Sequence, residues 1–158
     1  MDESMINLFS DRGSEIVTLL EEVSKFKAEL RKKVLALQSL IDIQSQPVRI
    51  EPGLWSGEQE LSNFLFHNVY LADNFVIRVS CRIAAEGWSI RAFNQEGNLE
   101  SVRSLFNRLQ IPFKEDSNLD GKTLLLHPTK YPYNEPLTTI QAITQDWINK
   151  IANSKTPQ

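Results

Sequence analysis

Three arginines form the first set of residues in this sequence whose spacing could support recognisable chemistry. Arg78 and Arg82 are four residues apart in a segment with strand-like alternation, and Arg91 lies in the next such segment. Strand side chains alternate between two faces, so a hairpin closing at 85–87 would bring all three onto one sheet face. Guanidinium groups bind carboxylates and phosphates through paired hydrogen bonds. We interpret the three arginines as a candidate surface for an acidic protein or a nucleic acid.

An ordinary solvated face is the simplest alternative, with these arginines paired to Glu86 or Glu96. The sequence predicts no aromatic residue among the arginines, because Phe75 and Trp88 are both expected on the buried side. Base stacking therefore has no support, and nucleic acid is less favoured than an acidic protein. The segment from 127 to 136 is a second candidate partner surface, because Tyr131 and Tyr133 lie among three prolines in a stiff connector, although it can also pack back on the sheet.

Few residues in this sequence are spaced as a catalytic site would require. Glu115, Asp116 and Asp120 lie near Lys122 in an arrangement that could be a nuclease site, but the segment also fits a solvated hairpin turn. His127 follows a strand and could join a carboxylate site. An enzyme with such a site is an alternative function that the sequence does not resolve.

The sequence lacks the residues of a phosphate-binding loop, a zinc site or a nucleophilic catalytic site. The six glycines are never within three residues of one another, so no phosphate-binding loop is predicted. His67 and His127 are too few for a zinc site, Cys81 is expected in the core, and Ser56 is interpreted as a helix cap. The sequence therefore predicts no catalytic residue, metal, cofactor or small-molecule ligand.

A long amphipathic helix must precede these surfaces. The spacing predicts a helix from Ser14 to Gln46, started by Asp11 or Ser14 and ended before Pro47. At about 1.5 Å per residue this rod of about 48 Å is longer than a compact body of this size, about 40 Å across. Its apolar face must overhang, fold back on residues 6–9, or meet another chain, and we expect the last. The assembly residues are then Ile16, Leu20, Val23, Phe26, Leu30, Val34, Leu37 and Ile41.

The rest of the chain alternates short strands with helices. The patterns predict a short strand over 47–51, a helix from Gly57 to about Phe66 capped by Ser56, and a hairpin over 75–93. They then predict a helix capped by Asn98, a second hairpin over 111–126 and a last helix from Pro136. The expected fold is α+β, with helices packed on one face of an antiparallel sheet built from two hairpins. The organisation is an assembly helix over 1–46, a globular domain over 47–153 and a polar tail over 154–158.

The net charge, the cysteine count and the absence of apparent targeting signals indicate the compartment and the class of partner. The 158 residues carry a net charge of −3, so the chain as a whole lacks the positive field that attracts nucleic acid or anionic membranes. No secretory signal or membrane span is apparent, and the single cysteine is typical of a reducing compartment, so we expect a cytoplasmic protein.

In element order alone, residues 60–153 resemble the small acidic chaperones of type III secretion and their relatives. The resemblance implies a dimeric α+β protein that binds extended segments of partners. The rod that is longer than its body and the lack of a recognisable catalytic set favour a non-catalytic adaptor or chaperone-like protein that binds another protein, or a second copy of itself, through the N-terminal helix.

Overall fold

A computed structural model describes residues 3–57, 61–117 and 123–154 and confirms the α+β class. Six antiparallel strands form one sheet in the order β1-β2-β3-β4-β6-β5, and three helices accompany it. In chain order the elements are α1 (Glu3–Leu40), β1 (Ile50–Gly57), β2 (Ser62–Ala72), β3 (Phe75–Ala84), β4 (Gly87–Asn94), α2 (Leu99–Arg108), β5 (Lys114–Ser117), β6 (Thr123–Leu126) and α3 (Leu137–Asn153).

All three helices pack on one face of the sheet, as the sequence predicts. Alternate residues of the central strands, such as Leu65, Val79 and Ile90, are fully or almost fully buried against Leu37 of α1 and Trp147 of α3. Each strand contributes its apolar set to one continuous core because strand side chains alternate between faces. No helix among the described residues covers the opposite face, which we call the open face.

The long helix differs from its prediction at both ends. It begins at Glu3 rather than near Ser14, and the backbone is non-helical at Arg12, where two helical segments join across a kink. It ends at Leu40 rather than Gln46, because the carboxylate of Asp42 accepts hydrogen bonds from the backbone N–H groups of residues 44 and 45 (3.1 and 3.3 Å). Such a side-chain turn competes with helical hydrogen bonding. The Ser45 hydroxyl donates to the same carboxylate, and these hydrogen bonds lower the pKa of Asp42.

The helix predicted from Gly57 to Phe66 is wrong. The described part of this segment belongs to strands β1 and β2, and Ser56 caps no helix, because its hydroxyl donates across the strands to Asn63 (2.9 Å). Strand β2 carries apolar side chains on both faces, for example Leu65 on one and Phe64 on the other. An alternation of apolar with polar residues, the usual sequence signal of a half-buried strand, is therefore missing here.

The later elements follow the prediction closely. The first hairpin closes between Ala84 and Gly87, and Asn98 caps α2 by accepting a hydrogen bond from the backbone N–H of Ser101 (3.2 Å). The second hairpin forms from β5 and β6, while its expected turn at 120–121 lies outside the described residues. Pro136 is the N-terminal cap of α3 rather than its first helical residue.

Candidate functional site

The sheet register brings the three predicted arginines together on the open face. Arg78 and Arg82 lie on the same face of β3, with Ser80 between them. Arg91 of β4 lies opposite Ser80. The neighbouring strand β2 contributes Phe64, directly opposite Arg82. Trp55 of the edge strand β1 extends the same row by facing Phe64.

Phenyl rings alternate with the guanidinium groups on this face. The guanidinium carbon of Arg78 lies 4.0 Å from the ring centre of Phe66 and 5.8 Å from that of Phe93. Those of Arg91 and Arg82 lie 5.3 and 6.0 Å from the ring centre of Phe64. These distances are within the range of cation–π attraction. The expectation that no aromatic residue lies among the arginines is therefore wrong; we call Trp55, Phe64, Phe66, Phe93, Arg78, Arg82 and Arg91 the arginine–aromatic face.

Polar neighbours hold each guanidinium group in place. Arg78 Nε donates to the side-chain oxygen of Asn68 (2.8 Å), and Arg91 donates to the Ser89 hydroxyl (3.3 Å). Arg82 pairs with Glu86 at 2.5 Å, the pairing expected of an ordinary face, and this hydrogen bond lowers the pKa of Glu86. Burial lowers the pKa of Arg78, which remains protonated because arginine titrates far above neutrality.

A glycine makes room for the central ring. Gly53 of β1 lies opposite Phe66 of β2, and a Cβ atom at Gly53 would lie 2.2 Å from the ring carbon Cζ. The far end of the Phe66 ring therefore occupies the space that a Cβ atom at position 53 would take, which only glycine leaves open. The ring is thereby positioned beside the Arg78 guanidinium.

The arginine–aromatic face forms the wall and floor of a broad concavity of about 910 Å³. Leu124 and Leu126 of β6 continue the apolar surface, and Asp116 and Lys130 lie at its other side. Its volume is within the range of ligand pockets, about 300–1,000 Å³. Trp55 is the most exposed member, at 56%. Its indole is therefore available to a partner that enters the concavity.

The two predicted tyrosines lie away from the arginine–aromatic face. Tyr131 bridges to Trp88 through two backbone hydrogen bonds (2.8 and 3.1 Å) and packs on the helix-covered side. Tyr133 contacts α1: its ring lies 5.7 Å from that of Phe26 and 4.6 Å from the Lys33 ammonium. Both rings are thus used to fasten the connector to the protein's own core.

The predicted assembly residues divide into two groups. Leu30, Val34, Leu37 and Ile41 are buried against the protein's own sheet and helices. Ile16, Leu20 and Val23 continue the same stripe toward the N-terminus and remain partly or largely exposed, whereas Phe26 packs against the core and Tyr133. The rod therefore packs on its own domain with its C-terminal half, while its N-terminal half projects.

The residues considered for catalysis are dispersed. Glu115 pairs with Arg103 of α2 at 2.5 Å, on the helix-covered side, whereas Asp116 lines the open face. His127 Nδ1 lies 3.2 Å from the backbone nitrogen and oxygen of Thr129. Asp120 and Lys122 lie outside the described residues. In the described ranges, no three His, Cys, Asp or Glu side chains are grouped to hold a metal ion.

Comparisons with known proteins give no relative for this chain. No family model matches it, and neither the curated proteins nor the solved structures contain a match. In the described part of the chain, no helix combines the length and apolar character that crossing a bilayer requires.

Proposed function

We propose that this chain is a non-catalytic, adaptor-like protein that binds an acidic, apolar-containing segment of another protein on its arginine–aromatic face. The observation that carries the proposal is the alternation of guanidinium groups with phenyl rings on a sheet face that no described helix covers. Aromatic residues and arginine are enriched at the energetic centres of protein interfaces. The arginines supply donors for carboxylates, and the rings supply apolar area between them.

The dimensions suit an extended segment lying across the strands. Six strands spaced about 4.8 Å apart make a surface about 24 Å wide, which an extended segment of about seven residues would span. In such a segment alternate side chains point to the same side. Acidic and apolar side chains could then meet the arginines and rings in turn.

The charges around the concavity favour a protein over a nucleic acid as the partner of the arginine–aromatic face. Of the three arginines, Arg82 is already paired with Glu86, and Asp116 adds a negative charge to the concavity. The positively charged side chains that line it are the three arginines and Lys130. Nucleic-acid affinity rests largely on many phosphate contacts that release counterions, and the whole chain carries a charge of −3. The exposed rings favour single-stranded nucleic acid as the second candidate, because bases stack on aromatic side chains.

We also propose that the protein acts in a reducing cytoplasm. Its single cysteine, Cys81, is fully buried and lies 3.0 Å from the Thr144 hydroxyl. Burial raises the pKa of this thiol to about 12, so it is protonated and unreactive at neutral pH. The cysteine thus serves as a core residue.

Fluorescence anisotropy with defined probes tests this function. The probes are a labelled peptide of alternating Glu and Phe, the same peptide with Lys in place of Glu, and an oligothymidylate of about 15 nucleotides. We expect the acidic peptide to bind most tightly. If truncating each arginine costs about 2 kcal/mol, Arg78→Ala and Arg91→Ala should each weaken binding about 30-fold.

The matched control removes two arginines from α2, on the other side of the sheet. The Arg103→Ala, Arg108→Ala variant loses two positive charges, one more than either single variant, and should still bind the acidic peptide as the wild type does. Tighter binding of the oligothymidylate, again dependent on Arg78 and Arg91, would replace the proposal with the nucleic-acid function. Equal binding of the acidic and basic peptides would contradict the proposal.

A further inference from the structure

We propose that the outer edge of β1 binds an extended, acidic segment of a partner protein, which joins the sheet as a further antiparallel strand. The site lies at the rim of the sheet beside α1, and its hydrogen bonds come from the main chain rather than from the three arginines. It goes beyond the binding proposed for the arginine–aromatic face, and the two proposals can be tested separately.

The two edges of the sheet differ in their protection against pairing. The strand order places β5 at one edge and β1 at the other. All four residues of β5 are exposed and three of them are charged, which discourages the addition of another strand. Residues 52–57 of β1 carry no charge, and Trp55 among them is 56% exposed. No described element pairs with the outer side of β1, so this edge is open to a further strand.

The register shows which main-chain groups of β1 point outward. The backbone N–H of Tyr70 donates to the carbonyl of Arg49 (3.0 Å), in line with the register of β1 and β2. Hydrogen-bonded pairs alternate along an antiparallel ladder, so the odd-numbered residues of β1 bond to β2 and the even-numbered ones turn away from it. Pro52 offers only its carbonyl there, whereas Leu54 and Ser56 offer both N–H and C=O groups. The edge can therefore pair with a strand that runs alongside Leu54 and Ser56.

A basic groove lies beside this edge on the helix-covered side. Its volume is about 290 Å³, and Ser56 lines it together with Lys27 and Arg31 of α1. Lys27 and Arg31 are four residues apart, which places them on the same face of the helix, and both are exposed. Ser56 lies opposite Asn63, on the same side of the sheet as the buried Leu65. Helix-side residues of an added strand would therefore meet two positive charges.

These features define the occupant as an extended acidic segment. The main-chain groups at a sheet edge are satisfied by another strand, so the segment must be extended. In an antiparallel pair, residues that exchange hydrogen bonds lie directly opposite each other and share a side of the sheet. Residues bonded to Leu54 and Ser56 thus turn their side chains toward Lys27 and Arg31, where acidic groups are complementary. The alternate residues lie on the open face beside Trp55, which favours apolar side chains.

A second copy of this chain is a poorer occupant. In a two-fold pairing each copy would present its own β1, whose helix-side residues are Ile50, Pro52, Leu54 and Ser56. None of these is acidic, so the basic groups of α1 would gain no partner. Pro52 would also leave a carbonyl group of the opposite copy without a donor. Charge complementarity therefore favours a segment of a different protein.

Fluorescence anisotropy with a labelled peptide of alternating Glu and Val, and with two N-methylated forms of it, tests this pairing. Methylating two glutamate nitrogens removes N–H groups that face β1, whereas methylating two valine nitrogens removes N–H groups on the outer side. We expect the glutamate form to bind about tenfold more weakly, and the valine form to bind as the unmodified peptide does. Equal binding of the two forms, or a larger loss for the valine form, would overturn the proposal.

Variants of the protein test the two halves of the site. Ser56→Pro and Ser56→Ala both remove the hydroxyl, but only proline removes the outward N–H, and an edge strand tolerates proline in this orientation. Ser56→Pro should bind the Glu–Val peptide about tenfold more weakly than Ser56→Ala. The Lys27→Ala, Arg31→Ala variant should also lose about tenfold, whereas Lys32→Ala, which changes an exposed residue outside the groove, should bind as the wild type does. An unchanged affinity in the Lys27→Ala, Arg31→Ala variant would contradict the acidic occupant.

Two controls separate this site from its alternatives. The Arg78→Ala, Arg91→Ala variant should bind the Glu–Val peptide as the wild type does; loss of binding would assign the peptide to the arginine–aromatic face and overturn the edge proposal. Light scattering of the protein alone should give the 18.1 kDa of a single chain. A dimer that Ser56→Pro converts to a monomer would show that a second copy covers this edge, which would also overturn the proposal.

Discussion

His67 should make the folded protein sensitive to mild acid. This side chain projects from β2 into the core and is 1% exposed, and its Nδ1 atom has no hydrogen-bond partner within the described part of the chain. Burial lowers its pKa from 6.5 to about 4, because the charged imidazolium would lose its hydration there. The folded state therefore holds His67 neutral at a pH where the unfolded chain binds a proton.

The sign and size of the effect follow from this pKa difference. Above pH 6.5 both states are neutral at His67, and the stability is fully retained. Between pH 6.5 and about 4 the unfolded state binds more protons, so the free energy of unfolding falls as the pH falls. The total loss is about 3 kcal/mol, of which about 2 kcal/mol falls between pH 7 and pH 4.5. Glu86 and Glu115, whose pKa values lie below 4.5 because of their arginine partners, act mainly at lower pH.

Urea unfolding followed by circular dichroism, repeated between pH 7 and 4.5, measures this loss. His67→Leu should flatten the pH dependence and leave the stability at pH 7 equal or higher, since it removes an unpaired buried polar atom. His127→Gln, which changes the half-buried second histidine, is the comparison variant. A wild type with constant stability over this range, or a His67→Leu variant with an unchanged slope, would refute the reasoning.

Substitutions at two further positions test the packing around the arginine–aromatic face and around α1. Gly53→Ala should displace the Phe66 ring and so remove its ring-current shift from the Arg78 Nε–H NMR signal. The free energy of unfolding should change by less than about 1 kcal/mol. An unchanged NMR signal would contradict the contact between Phe66 and Arg78. Tyr133→Ala should lower the free energy of unfolding by about 2 kcal/mol, because the ring packs on Phe26 and under the Lys33 ammonium. Tyr133→Phe should cost less than about 1 kcal/mol, and equal losses for both variants in urea unfolding would show that the ring does not contribute.

Elements with one apolar and one polar face were predictable from the sequence. Helix α1, the β3–β4 hairpin and α3 each turn one side to the core and the other to water, so their periodicity is visible. Strand β2 is not of this kind, because Phe64 and Phe66 face outward while Leu65 and Val69 face the core. The end of α1 was missed because it depends on the local turn around Asp42 rather than on Pro47.

The arginines of the candidate site were predictable from the sequence, whereas its aromatic rings were not. Arg78, Arg82 and Arg91 could be placed on one face from alternation within a single hairpin. The rings of Phe64 and Phe66 join them only through the pairing of β2 with β3, a contact that requires β2 to be recognised as a strand. The alternation of Phe64, Phe66, Asn68 and Tyr70 on one side of β2 is the signal that could have shown it. The resemblance to secretion chaperones in element order gained no support from the comparisons.

NMR titration of the isotope-labelled full chain with the alternating Glu–Phe peptide tests the proposed binding face most directly. The three indole N–H signals are internal reporters, because Trp55 lies exposed on the arginine–aromatic face whereas Trp88 and Trp147 are buried on the other side. We predict that the Trp55 indole and the Nε–H signals of Arg78 and Arg91 shift together and saturate, while the other two indoles stay in place. Saturable shifts confined to α1, or no shift of the Trp55 indole at saturation, would contradict binding at this face.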